Sequence, residues 1–450
     1  MPESNLTNGY QIVAGQGASS INSMPEQITN SVENRNTFTL PPSFLTTLTT
    51  LVKRFITIAA GAAFSRALNA VAGILIVRYF SNPTLYGQYA TLTTQLALMS
   101  SLLGLGIDTW LLREGGRDLD QLVINSQRLI TAKGIITLVL LTCLIIAWQY
   151  IGLSWIIVVG MIGVISESYI RTGYVIMHVL NRNQSIALLQ SVDALVAVGL
   201  IILLMNWPPH TAYLIIGQTA ISITLLGLIT RLLGTHWYSR WTSIRLIDLI
   251  RSAGFFILAD IFANIHAQSY FIILALLTSD TAIGIFRAAV NLISISFLVP
   301  IALFNVTLPW LSRTKFDRMQ RKFLVQGMII ITAVYGLSCL ILFWWFGKDI
   351  IHLIYGDQYS NTFLLLRIMS IIPLFKSLSF VAVATMLSLE AQRLRIIIQG
   401  IVTVLSVIGG IIGVMYLGLE GAVWSYVIIE GLLSLSYGVG AIVTWRKHAI

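Results

Sequence analysis

Apolar runs of roughly 20 residues recur from Lys53 to the end of the chain, each long enough to cross ~30 Å of hydrocarbon as a helix. Twelve can be placed, near 56–77, 87–107, 129–149, 154–177, 185–206, 211–233, 252–277, 283–308, 324–346, 361–386, 394–416 and 421–443. Composition agrees: 56% of the 450 residues are hydrophobic and 10% are charged, against roughly 25% charged in soluble proteins. These values exclude a water-soluble globule, and they exclude a disordered chain, which needs low hydrophobicity and high charge. Two cysteines exclude a disulfide scaffold or a Cys-rich metal site. The expected fold is all-α, a polytopic membrane protein.

The loops sort by charge. One set holds Lys53 and Arg54; Arg113, Arg117 and Arg128; Arg182; Arg240, Arg245 and Arg251; Arg313, Lys315, Arg318, Arg321 and Lys322; Arg393 and Arg395; and Arg446 and Lys447. The alternate loops hold only Arg78 and Lys348. This is the positive-inside pattern, and it predicts twelve spans with both termini cytoplasmic. Topology thus accounts for the net charge of +10, and nucleic acid is not needed to explain it.

Residues 1–52 form a polar stretch without helical period, expected to be a disordered cytoplasmic tail without signal-peptide order. Residues 236–251, with His236, Trp237, Tyr238, Arg240 and Trp241, suit a cytoplasmic headgroup region and link two groups of six spans, 53–235 and 252–450. The segment Ile350–Gly356 reads as a short interfacial helix. Six spans on each side predict a duplicated unit, its halves related by an axis along the membrane normal and enclosing a central cavity. A short echo supports this: Tyr86-Gly87-Gln88-Tyr89 opens the second span, and Ile283-Gly284-Ile285-Phe286 opens the eighth.

Several motifs carry a resemblance. Ile76-Val77-Arg78-Tyr79-Phe80-Ser81, Leu85-Tyr86-Gly87-Gln88-Tyr89, Gly104-Leu105-Gly106-Ile107-Asp108 and Leu112-Arg113-Glu114 look like the opening of bacterial polysaccharide-biosynthesis flippases. Those proteins move lipid-linked repeat units and belong to the multidrug/oligosaccharidyl-lipid/polysaccharide exporter superfamily. Ile354-Tyr355-Gly356-Asp357-Gln358-Tyr359 and Gly418-Leu419-Glu420-Gly421-Ala422 extend the likeness over about 55 to 445. Ser81 departs from it, because many relatives carry glycine there. The resemblance implies an inner-membrane flippase whose partners are a lipid-linked oligosaccharide, membrane lipids and polymerase or assembly proteins.

Lipid-facing charge costs ~2.5–3.5 kcal/mol even on the translocon scale, so ionisable residues inside spans need a polar cavity or a partner. Arg66 and Asn69 share a face of the first span, and Arg287, Asn291 and Ser294 form a stripe on the eighth. Arg367 and Lys376 flank Pro373 in the tenth span; a straight helix would set them on opposite faces. Each is either a cavity ligand for an anion or a packing or snorkelling group. In lipid II flippases arginines of the first and eighth helices help to bind substrate, so the resemblance pairs Arg66 with Arg287 by helix order. Asp260, Asn264 and Gln268 recur at helical spacing; Asp260 is a counter-charge, a cation-coupling carboxylate or part of a structural seam. Asp193 is a second coupling candidate. Glu167 and Arg171 are spaced for an ion pair, His266 reads as a packing histidine, and Glu430 has no local partner.

No Gly-x4-Gly-Lys-[Ser/Thr] loop, nucleophile elbow or metal-ligand cluster is present, so no cofactor, no metal and no enzyme activity is expected. The cationic set suits a diphosphate, an anion that pairs strongly with guanidinium. The leading expectation is translocation of a polyprenyl-diphosphate-linked oligosaccharide. The alternative is an ion-coupled exporter of organic cations relying on Asp193, Asp260 or Glu430.

Overall fold

A computed structural model describes residues 64–104, 106–117, 122–152, 154–180, 182–234, 246–311 and 318–447. The 1–52 tail and the aromatic segment around Trp237 lie outside these residues. Among the described residues every regular element is helical: α1 (64–80), α2 (Pro83–Gly104), α3 (Ile107–Arg117), α4 (Leu122–Ile151), α5 (Trp155–Val179), α6 (Asn183–Leu204) and α7 (Thr211–Leu233). There follow α8 (Leu246–Leu277), α9 (Asp280–Ile295), α10 (Leu298–Leu311), α11 (Arg318–Tyr355), α12 (Thr362–Met369), α13 (Ile372–Ser388) and α14 (Gln392–Lys447), with one 3₁₀ turn at Asp357–Tyr359.

Eight of these segments, α12 and α13 counted together, are long and apolar enough to cross a membrane, nine if the bent pair α9–α10 is one span. The twelve expected spans are not reached by that measure. One reason is that α14 is two segments: Gly418, at φ 58°, reverses the chain, and the two arms pack against each other. A Cβ on Gly413 would meet the Gly421 carbonyl, Ser425 Oγ donates to Gly409 O at 2.9 Å, and Tyr437 OH donates to Gln399 Oε1 at 2.6 Å. The Gly409-x3-Gly413 spacing therefore serves close helix approach.

Local chemistry sets the ends. Ser154 and Ser279 accept hydrogen bonds from Ile156 N and Ala282 N at the starts of α5 and α9. Gly356, at φ 88°, ends α11. No separate interfacial helix forms at Ile350–Gly356: α11 runs unbroken for 38 residues through Tyr355. Residues 246–251, assigned from the sequence to the linker, are the first turns of α8.

Polarity is partly inverted relative to a soluble protein. Leu276, Trp345, Met415 and Tyr416 are exposed, whereas Lys133 is fully buried. Helices α2–α7 pack with one another, as do α8–α14, and the two sets meet where α2 lies against α8 and α9 and α3 against α8. The tightest crossing joins the glycines of the two echoed motifs. A Cβ on Gly87 would fall 1.7 Å from the Asp280 carbonyl oxygen, and one on Gly284 would fall 1.9 Å from that of Pro83. Thr84 and Thr281 share a hydrogen bond of 2.8 Å beside them. Arg78 donates to the carbonyls of Leu353 and Ile354 at 2.5 and 2.6 Å, a cation on the negative end of α11. Tyr359, fully buried, packs edge-on against Tyr86.

Two predictions follow from this end of the bundle. Gly87→Ala, which sets a methyl group against backbone, is expected to lower thermal stability in detergent by about 1–3 kcal/mol. Ser81 sits at φ 49°, so Ser81→Gly is expected to raise stability by about 1 kcal/mol, partly offset by loss of its 2.6 Å bond to Arg78 O.

Candidate functional site

The α2–α9 crossing positions the central side chains. One turn beyond Gly284, Arg287 places its guanidinium carbon 4.3 Å from the Phe271 ring centroid of α8, on the side of α9 that faces Tyr86 of α2. One turn further, Asn291 Nδ2 donates to the Tyr86 hydroxyl at 2.7 Å. Ser294 continues the stripe but bonds back to Asn291 O. Among the described residues no carboxylate pairs with Arg287.

Helix α1 lies across from this stripe. A Cβ on Gly73 would sit 4.0 Å from Asn291 Nδ2. Arg66 and Asn69 share the face of Gly73 at i−7 and i−4, so Arg66 lies ~10 Å along the helix from that approach. Both are exposed, and Arg66 has no carboxylate partner among the described residues. Its neighbour Ser65 anchors the helix by donating to Gln190 O of α6. Arg66, Asn69, Arg287 and Asn291 thus belong to facing surfaces of α1 and α9.

Arg367 and Lys376 are not brought to this group. The break at Ser370–Ile371 separates their helices. Arg367 stacks on Trp344 of α11 at 4.2 Å. Lys376 Nζ lies 2.6 Å from Glu430 Oε1, and His266 Nε2 lies 3.3 Å from the same oxygen. The expectation of an unneutralised cation at Lys376 is corrected: Glu430, 1% exposed, neutralises it. His266 is not a mere packing residue, and Glu430 has two partners. Both partners come from other helices, 164 residues away in the case of His266. This triad lines a cavity of ≈ 390 Å³ among α8, α9, α13 and α14.

The acidic candidates also separate. Asp260 Oδ2 accepts from Gly106 N at 3.1 Å, capping the break between α2 and α3, and Asn264 donates to Asp260 O within α8. Asp260 therefore has a local structural task and gives no ion pair to Arg287. Asp193 lines a second cavity, ≈ 370 Å³, with Glu167, Gln218 and Ser222. The expected Glu167–Arg171 ion pair does not form, because Arg171 Nη2 donates to Ser100 Oγ at 2.7 Å.

The sequence reading missed one cluster. Lys133 Nζ donates to both Asp108 oxygens at 3.0 and 2.8 Å, to Ser168 O at 3.0 Å and to Thr172 Oγ1 at 2.8 Å. Thr172 in turn donates to Asp108 Oδ1 at 2.8 Å. The available signal was a lysine four residues inside an apolar run.

A helical bundle with membrane-length segments and a polar seam between two helix sets defines a multi-pass all-α membrane fold. Residues 51–315, more than half of the chain, match the family described as polysaccharide biosynthesis protein, and the chain belongs to that family. No curated protein matches the sequence significantly. Among solved structures, the lipid II flippase MurJ in its inward closed conformation is similar with a TM-score of 0.73 at 15% identity, covering 87% of this chain and 89% of that one. A MOP superfamily transporter from Pyrococcus furiosus, with a binding pocket of reverse polarity, has a TM-score of 0.63 at 12% identity (87% and 95% covered). An inward-facing multidrug resistance MATE transporter gives 0.61 at 14% identity (85% and 95%). These likenesses show the fold: an all-α membrane bundle of the kind seen in those transporters.

The buried cluster generates a stability prediction. Lys133→Met alone leaves Asp108 uncompensated and is expected to cost about 3–5 kcal/mol. Lys133→Met combined with Asp108→Leu is expected to recover most of that loss in the same thermal assay.

Proposed function

We propose that this protein is a flippase that carries a polyprenyl-diphosphate-linked oligosaccharide from the inner to the outer leaflet of a bacterial plasma membrane for surface polysaccharide synthesis. The observation that carries the reading is Arg287, held at the seam by Phe271 and Tyr86 without a carboxylate partner among the described residues. A guanidinium so placed offers a planar donor fork to a diphosphate. Arg66 on the facing helix supplies a second cation, with Asn69 and Asn291 as neutral donors. Two six-span lobes, 53–235 and 252–450, rock about the α2–α9 crossing to expose the site to one face and then the other. The lipid tail stays in the bilayer while the cavity replaces the headgroup's water. Both termini are cytoplasmic, so the Gly87–Gly284 crossing lies at the outer face. Family membership and the MurJ-like fold support transport of a lipid-linked substrate rather than catalysis, and a polysaccharide polymerase is a fitting downstream partner.

A second reading, ion-coupled export of organic cations, is favoured by one observation: Glu167 and Asp193 share a cavity, and neither forms an ion pair among the described residues. The two readings differ in which side chains matter. A charge-assisted hydrogen bond contributes about 1.5–3 kcal/mol, so Arg287→Gln is expected to slow flipping of a fluorescent polyprenyl-diphosphate sugar in reconstituted vesicles roughly 10- to 100-fold. Arg66→Gln is expected to act in the same direction. Full flipping by both variants, together with cation efflux abolished by Asp193→Asn, would establish the second reading instead.

A further inference from the structure

The ≈ 390 Å³ cavity of the second helix set adjoins Arg287 through one aromatic ring. Phe271 carries the Arg287 guanidinium on its ring and also lines the cavity, as does Phe286, the residue before Arg287. The lining unites two kinds of surface. Phe286 and Tyr426 form an aromatic wall, their ring centroids 6.3 Å apart. Facing chemistry comes from Gln399 and from the Lys376–Glu430–His266 triad.

The triad is incompletely satisfied. Glu430 Oε1 takes both neighbours, leaving Glu430 Oε2 and His266 Nδ1 buried without a partner. Glu430 Oε2, a carboxylate oxygen, is an acceptor. That orphaned acceptor therefore calls for a donor from a guest. Lys376 is already paired with Glu430 and is not a free cation for an acidic guest, and the unpaired Glu430 Oε2 would repel a second carboxylate. Its volume lies at the lower end for ligand pockets, ~300–1,000 Å³, enough for a sugar ring rather than a long oligosaccharide.

We infer that this cavity, one ring away from the Arg287 guanidinium, is a pocket for the sugar attached directly to the diphosphate, and that it selects a neutral hydroxyl- or amide-bearing ring over a uronic acid. The inference rests on the flippase reading, which puts the diphosphate on Arg287. The aromatic walls present electron-rich faces to the C–H face of the ring, and Glu430 Oε2 takes one of its O–H or N–H groups. Glu430, Lys376 and His266 then act as a specificity device rather than as an anion anchor.

The test compares three short-chain polyprenyl diphosphates binding to the full-length protein in nanodiscs: sugar-free, carrying one N-acetylhexosamine, and carrying one uronic acid. The neutral sugar is expected to tighten binding by roughly tenfold or more over the sugar-free lipid, and the uronic acid is not. Glu430→Gln is expected to reduce that gain to less than about threefold. Because that variant also disturbs a buried ion pair, Ala267→Phe, which narrows the cavity from an exposed position, is the second probe, with the same loss expected. A sugar gain that survives Ala267→Phe, or no gain while the sugar-free lipid still binds through Arg287, would overturn the pocket alone. Sugar-free binding that is indifferent to Arg287→Gln would overturn the flippase reading and the pocket with it.

Discussion

A charge inside a bilayer-spanning bundle needs a partner, and this requirement accounts for most of the polar architecture. Lys133 finds Asp108, Lys376 finds Glu430, Arg78 finds the carbonyl end of α11, and Arg367 finds the face of Trp344. Arg171, offered Glu167 on its own helix, turns instead to Ser100. Arg287 is met in the same way, by the Phe271 ring, beside Tyr86 and Asn291. Arg171, Arg287 and Arg367 thus all find neutral company, a hydroxyl or an aromatic ring, where Lys133 and Lys376 find carboxylates.

The glycine crossing fixes where the Arg287 guanidinium sits. Gly87 and Gly284 let the second helix of each set approach backbone to backbone, and the next turn of α9 carries Arg287. The motif Ile354–Tyr359 closes the same end: Gly356 turns the chain, Tyr355 OH donates to Ala288 O at 3.3 Å, and Tyr359 fills the space beside Tyr86. Residues that looked like a family signature thus gain a physical account as the packing that holds the crossing.

Span positions were legible in the sequence because hydrocarbon thickness imposes a length and a hydropathy that no tertiary contact overrides. Run 211–233 coincides with α7, and 154–177 with α5 to within two residues. Breaks were less legible. The bends after Ile295 and at Gly418 and the unbroken run of α11 through Tyr355 depend on neighbours that hydropathy does not register. The face shared by Arg287 and Asn291 followed from helical spacing, and it holds. Partnerships were not legible: Glu430 with Lys376, Asp260 with Gly106 and Lys133 with Asp108 join residues 25 to 154 positions apart. Spacing along one helix cannot report such pairs. It also misleads for Glu167 and Arg171, where the favoured interval lost to a better-placed hydroxyl. Ser81 is the opposite case, since a missing glycine in the sequence corresponds to a backbone at positive φ.

Closure of this end and occupation of the seam use the same atoms. Tyr86 accepts from Asn291 and contacts Arg287, Tyr359 and Tyr89. Tyr89 OH in turn accepts from Gln218 at 3.2 Å, and Gln218 lines the cavity of Glu167 and Asp193. An anion that draws Arg287 away from Tyr86 removes one of the contacts tying α9 to α2, while Thr84–Thr281 and Arg78 on α11 remain. On the proposed flippase reading, binding at the guanidinium would bias this crossing, as a ligand must if it is to shift a two-state equilibrium. The acidic cavity meets the same hinge through Tyr89 and Gln218, so a cation or proton gained there would load the crossing from its other side. Contiguity of this kind is a route for coupling, and its strength is set by how differently the two arrangements hold Tyr86.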